Sequence, residues 1–130
     1  MSNYQNGSAF ERRVAAILER HGYYVSRSAG SHGVADLVAI KAWQILLVQC
    51  KGGKGTIPLP EWNRLYAVAS LLWPIPGLEY GYAIPLLVTR DHIGRITWTQ
   101  ITGIAEARRP RPSAPWSPDP IDADYAMAAP

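Results

Sequence analysis

The chain has 130 residues, 48% of them hydrophobic, which is enough for one small domain with its own core. One cysteine excludes an internal disulfide framework and any multi-cysteine zinc site, and no apolar run nears the about eighteen residues that span a bilayer. The net charge of +3 is uneven, with twelve Lys/Arg against seven Asp/Glu in residues 1–110 and one Arg against three Asp in residues 111–130, so a basic body suits a polyanionic partner.

Residues 1–7 are a polar lead-in, expected to be flexible, and they lack a signal-peptide pattern, so a cytoplasmic protein is expected. Ser8 to His21 has the spacing of a helix, since Phe10, Val14, Ile17 and Leu18 share one face, and Gly22 supplies its stop. Ser8-Ala9-Phe10-Glu11 also fits a capping box, in which the Glu11 carboxylate reaches back to a free backbone donor.

From Tyr23 to Lys54, three apolar runs broken by a Gly/Ser loop and a tight turn predict a β-meander. Arg27 to Gly33 is the loop, and its hydroxyls at Ser28 and Ser31, its glycines and Arg27 on its shoulder suit a phosphate grip. His32 in that loop is expected only to be solvated. Strands 36–41 and 44–50 would pair through a turn at Ala42-Trp43. The second contains Ile45-Leu46-Leu47-Val48, a run typical of a strand buried on both faces. Because strand side chains alternate, Gln49 and Lys51 share a face, roughly 6 to 7 Å apart, with Cys50 opposite. Asp36, opening the first strand, would then lie beside them. Gly52-Gly53-Lys54-Gly55 is not a phosphate-binding P-loop, because the earlier Gly is missing and Lys54 is not followed by Ser or Thr.

Pro60 to Trp73 has the pattern of a second helix, with a wide apolar stripe of Trp62, Leu65, Tyr66, Ala69, Leu72 and Trp73, part of which is available for a dimer interface. Residues 84–89 and 96–101 are two further strands, the last with the alternation of an edge strand. From Ala107 six of the eleven prolines follow without an apolar period, so residues 107–130 are expected to form a disordered tail after a domain spanning 8–106.

Glu11-Arg12, Arg27-Ser28-Ala29-Gly30-Ser31, Asp36-Leu37-Val38-Ala39 and Gln49-Cys50-Lys51 together resemble the archaeal-type Holliday junction resolvases of the PD-(D/E)xK nuclease superfamily. Ala83 to Val88 and Arg95 to Ile101 are similar to that family's later strands. The resemblance implies a restriction-endonuclease-like α/β fold, a central mixed sheet flanked by helices in the order α-β-β-β-α-β-β. It further implies Mg²⁺, for which Mn²⁺ can substitute, with no other cofactor. The metal would be held by Glu11, Asp36, Gln49 and the Cys50 carbonyl, with Lys51 as the catalytic cation. Arg12, Arg27, Ser28, Ser31 and Lys54 would contact DNA, with Arg13 and Arg64 as further candidates. Four-way or branched DNA is the implied partner and a homodimer the implied assembly, placed in a host's cytoplasm if the source is viral. One departure stands out: position 49 is Gln where that family usually carries an acidic residue. The alternatives are a nicking or branched-DNA endonuclease without junction preference and a catalytically inactive DNA-binding dimer. A purely structural interaction module would leave the clustered polar residues unexplained.

Overall fold

The computed structural model describes residues 3–28, 33–42, 44–53, 55–71 and 82–118. Along the chain run α1 (Asn3–Arg20), β1 (Tyr24–Arg27), β2 (Leu37–Lys41), β3 (Gln44–Lys51), α2 (Leu59–Ser70), β4 (Tyr82–Arg90), β5 (Ile96–Ile101) and β6 (Ser113–Pro115). The six strands lie side by side in chain order, antiparallel throughout except where β3 and β4 run parallel. A parallel pair needs a long crossover, and α2 lies within it. The carboxyl ends of β3 and β4 therefore meet at one edge of the sheet, with Lys51 opposite Thr89.

Side-chain alternation divides the core between the two faces of the sheet. Leu46 and Val48 of β3 join Leu37, Ala39, Leu86 and Val88 beneath Phe10, Val14 and Leu18 of α1. Leu47 faces the other way, with Leu87 and Ile101, against Trp62, Leu65 and Ala69 of α2. The helix α1 ends as its sequence requires: Gly22 takes a left-handed φ of 91°, Tyr23 N–H bonds to Leu18 O at 3.1 Å, and Gly22 N–H bonds to Glu19 O at 3.0 Å. The position of α2 is fixed by polar contacts to the chain after β5. Asn63 donates to Ala105 O (3.1 Å) and accepts from Ala105 N–H (2.7 Å), and Trp62 Nε1 donates to Gly103 O (3.2 Å).

Five expectations change. The helix starts at Asn3, so the lead-in is helical from there. Ser8 is thus inside α1, and no capping box forms; its hydroxyl instead accepts from Arg12 (3.1 Å) and Arg27 (3.0 Å). The second helix runs Leu59–Ser70, and Trp73 lies outside the described residues. Finally, the tail does not stay free over residues 113–116, and β5 is not an edge strand. β6 pairs with β5, Trp116 N–H bonds to Trp98 O (3.2 Å), and the two indoles pack with centroids 5.5 Å apart. A three-residue strand is too short to show a period, and one large aromatic anchors it. Positions 119–130 lie outside the described residues.

Candidate active site

The amino end of β2 and the carboxyl end of β3 are adjacent because Leu37 pairs with Val48. Asp36 continues that ladder by one residue, its N–H donating to Val48 O at 2.8 Å. Its side chain then turns back: Asp36 Oδ2 accepts the Cys50 N–H at 2.8 Å. Burial raises the Asp36 pKa and the Cys50 N–H opposes the rise, while the charge of Glu61 adds to it.

Asp36, Gln49, Cys50 and Lys51 line one cleft of about 370 Å³ with Glu11 from α1. Glu11 is partly buried, and burial together with the charge of Asp36 raises its pKa against the opposing pull of Arg27. The Arg27 guanidinium stands 3.5 Å from Glu11 Oε2 and also donates to Ser8 Oγ. Cys50 is unsuited to act as a nucleophile, since burial and the charges of Asp36 and Glu11 push its thiol far above the usual range. What the cleft offers is oxygen: two carboxylates, an amide and a main-chain carbonyl, a donor set that fits a hard divalent cation. Among the described residues no three His, Cys, Asp or Glu side chains are grouped to hold an ion by themselves.

Of the expected DNA contacts, Arg12 is exposed beside Ser8, and Arg27 sits at the rim of the cleft beside Glu11. Ser28 Oγ donates to Ala35 O at 2.9 Å, so this hydroxyl closes its own loop. Ser31 and Lys54 lie outside the described residues. Arg64 lines the cleft from α2, and Arg13 approaches Gly94 in the β4–β5 turn. One carboxylate was missed from sequence: Glu61, in the first turn of α2, lines the same cleft. In sequence it resembles any acidic residue placed to complement a helix dipole.

The family model described as archaeal Holliday junction resolvase (Hjc) matches residues 2–59. The crossover junction endodeoxyribonuclease Hjc of Methanocaldococcus jannaschii is 45% identical over 53 residues, which are 41% of this chain and 39% of that protein. Residues 2–59, a little under half of the chain, are thus similar to the archaeal Hjc family. The chain matches about two fifths of that curated relative's length. The structure of Hjc from Archaeoglobus fulgidus, titled a Holliday junction resolvase from an archaeal hyperthermophile, superposes with a TM-score of 0.54 at 19% identity. It covers 83% of this chain and 80% of that one, and shows that the fold extends well past the matched stretch. Glu11, Asp36, Gln49, Cys50 and Lys51 all fall inside the Hjc match, whereas Glu61, Arg64 and Arg90 fall outside it.

Proposed function

We propose that this chain is a metal-dependent endonuclease that resolves four-way DNA junctions as a homodimer. The observation that carries the proposal is the convergence of Glu11, Asp36, Gln49 and Lys51 on one cleft inside the Hjc-matched stretch. Glu11 and Asp36 would hold a Mg²⁺ or Mn²⁺ ion, helped by the Gln49 amide oxygen and the Cys50 carbonyl. Such an ion neutralises phosphate charge and acidifies a bound water. The part-buried bond from Cys50 N–H would fix the Asp36 carboxylate before substrate arrives. In the reaction a water oxygen bonds to phosphorus, the ester bond to the leaving sugar oxygen breaks, and a proton is delivered to that oxygen. Lys51, which lines the cleft, would stabilise the charge that builds on the phosphorane or orient the water. Arg12 and Arg27, with Ser31 and Lys54, would hold the phosphate backbone.

Two cuts symmetric about a junction need two sites related by a twofold axis, which a homodimer supplies. Leu71, 81% exposed at the end of α2, is an apolar residue open to such a partner. Among the described residues no helix is long and apolar enough to cross a membrane.

One observation supports a second reading: Gln49 removes a formal charge from the metal site, as in a DNA-binding dimer that no longer cuts. Incubation of a labelled junction with Mg²⁺ and the parent, Asp36→Ala, Lys51→Ala and Gln49→Glu proteins separates the two. Cleavage by the parent that Asp36→Ala and Lys51→Ala abolish supports the nuclease. An inert parent beside an active Gln49→Glu variant supports the inactive dimer.

A further inference from the structure

A second cleft, of about 430 Å³, opens at the same edge of the sheet and is lined by Phe10, Cys50, Lys51, Gly52, Gly53 and Arg90. Cys50 and Lys51 line both clefts, so the carboxyl end of β3 is a partition between them. Their chemistry is opposite. The first cleft is lined by Glu11, Asp36 and Glu61, and the second by no carboxylate among the described residues.

Arg90 ends β4 two residues beyond Val88, so alternation directs it to the α1 face. There its guanidinium carbon lies 5.0 Å from the centroid of the Phe10 ring, a stacking contact that orients the plane of the group and leaves its N–H edge for other partners. Among the described residues no carboxylate pairs with Arg90. On its other side is Gly52, where an added Cβ would stand 3.3 Å from Arg90 Nε. A side chain at position 52 would crowd the guanidinium; with Gly-Gly there, an incoming anion can approach both the main chain and the cation.

From this geometry we infer that the second cleft is a phosphate subsite, in which Arg90 and the Gly52-Gly53 main chain hold the phosphodiester next to the one being cut. The inference rests on the nuclease proposal and names how the same site grips its strand. The partition is one β-strand wide, about 4.8 Å, whereas consecutive phosphates of one strand rise about 3.4 Å along the duplex axis and lie further apart than that through space, so two of them can straddle it. A strand crossing the end of β3 therefore places consecutive phosphates on its two sides, the cut one facing the carboxylates and its neighbour facing Arg90.

The test is junction binding without metal, followed by fluorescence anisotropy across a salt series, for the parent, Arg90→Gln and Arg90→Lys. Loss of one phosphate contact should reduce the slope of log affinity against log salt by about 0.9 and weaken binding about tenfold or less at moderate salt. Arg90→Lys should keep the parent slope while binding less tightly, because it retains the charge and loses the fork. Circular dichroism shows whether each variant is folded, and Arg90→Lys serves if Arg90→Gln is not. Junctions with a single neutral methylphosphonate linkage locate the contact. The deficit of Arg90→Gln should vanish when the neutral linkage is next to the cut phosphate and persist when it is several nucleotides away. A folded Arg90→Gln protein with the parent's affinity and slope overturns the subsite while leaving the nuclease proposal standing. A parent that binds no DNA overturns both.

Discussion

Arg111 links the segment that follows β5 to the floor of the acidic cleft, which makes Arg111→Ala an informative perturbation. Its Nη1 donates to Ile57 O at 2.6 Å and to Thr56 Oγ1 at 2.9 Å, and its guanidinium lies 5.1 Å from the Trp62 ring centroid. Ile57 is 1% exposed and lines the cleft with Asp36, and the chain continues from it into α2, which carries Glu61. Hydrogen bonds from a charged donor contribute about 1.5 to 3 kcal/mol. A cation–π contact at a partly exposed site adds roughly 0.5 to 1 kcal/mol. With Arg111 half-exposed the lower ends apply, so Arg111→Ala should destabilise the fold by about 2 kcal/mol. For a domain of this size that lowers the melting temperature by about 6 to 10 °C, and Arg111→Lys, which keeps one donor, should lose about half as much. Urea and thermal unfolding measure the loss, and junction cleavage below the transition reports whether the floor of the cleft shifts. Melting within about 1 °C of the parent for both variants would show that the segment is not docked and that α2 is positioned without it.

Asp36→Asn should raise the melting temperature of the metal-free protein at neutral pH. The folded-state pKa of Asp36 is raised, so its contribution to stability is full below the ordinary carboxylate range and is lost as pH rises through the raised value. The gap between parent and variant should therefore widen with pH over that window; parallel pH profiles would count against it. Gln49→Glu should reach half-maximal cleavage at lower Mg²⁺ than the parent, because three formal charges attract the ion instead of two, and Gln49→Ala should lose activity; an unchanged Mg²⁺ requirement in Gln49→Glu would remove Gln49 from the metal site. Arg27→Ala should raise the Glu11 pKa further, as seen by NMR titration of its carboxyl carbon, and weaken junction binding across sequences. An unmoved Glu11 titration would show that their 3.5 Å contact is not kept in solution.

The meander and its cleft were legible because period-two alternation is a local signal. Ile45 to Val48 could be read as a buried strand, and once the 42–43 turn set the register, Asp36 had to lie beside Gln49 and Lys51. Glu61 and Arg90 were not legible in that way. Their relevance depends on the parallel β3–β4 pairing, which brings α2 and the end of β4 to the same edge, and no short-range pattern encodes that pairing. Ser8 misled for a related reason, as a capping sequence followed by Glu11 is a local signature, whereas the partner that claims its hydroxyl, Arg27, is nineteen residues away. The docked Pro-rich segment was hidden by composition. Prolines remove the apolar period, yet Pro115 is tolerated in an edge strand whose outer side needs no donor.

The most direct test maps cleavage to the nucleotide on all four strands of a synthetic junction, beside matched duplex and single strand, with the parent protein in Mg²⁺. Paired nicks at symmetric positions in two opposing strands of the junction, with duplex and single strand left whole, are the expected result. Equal cutting of all three substrates, or single unpaired nicks in the junction, would contradict a junction-resolving dimer.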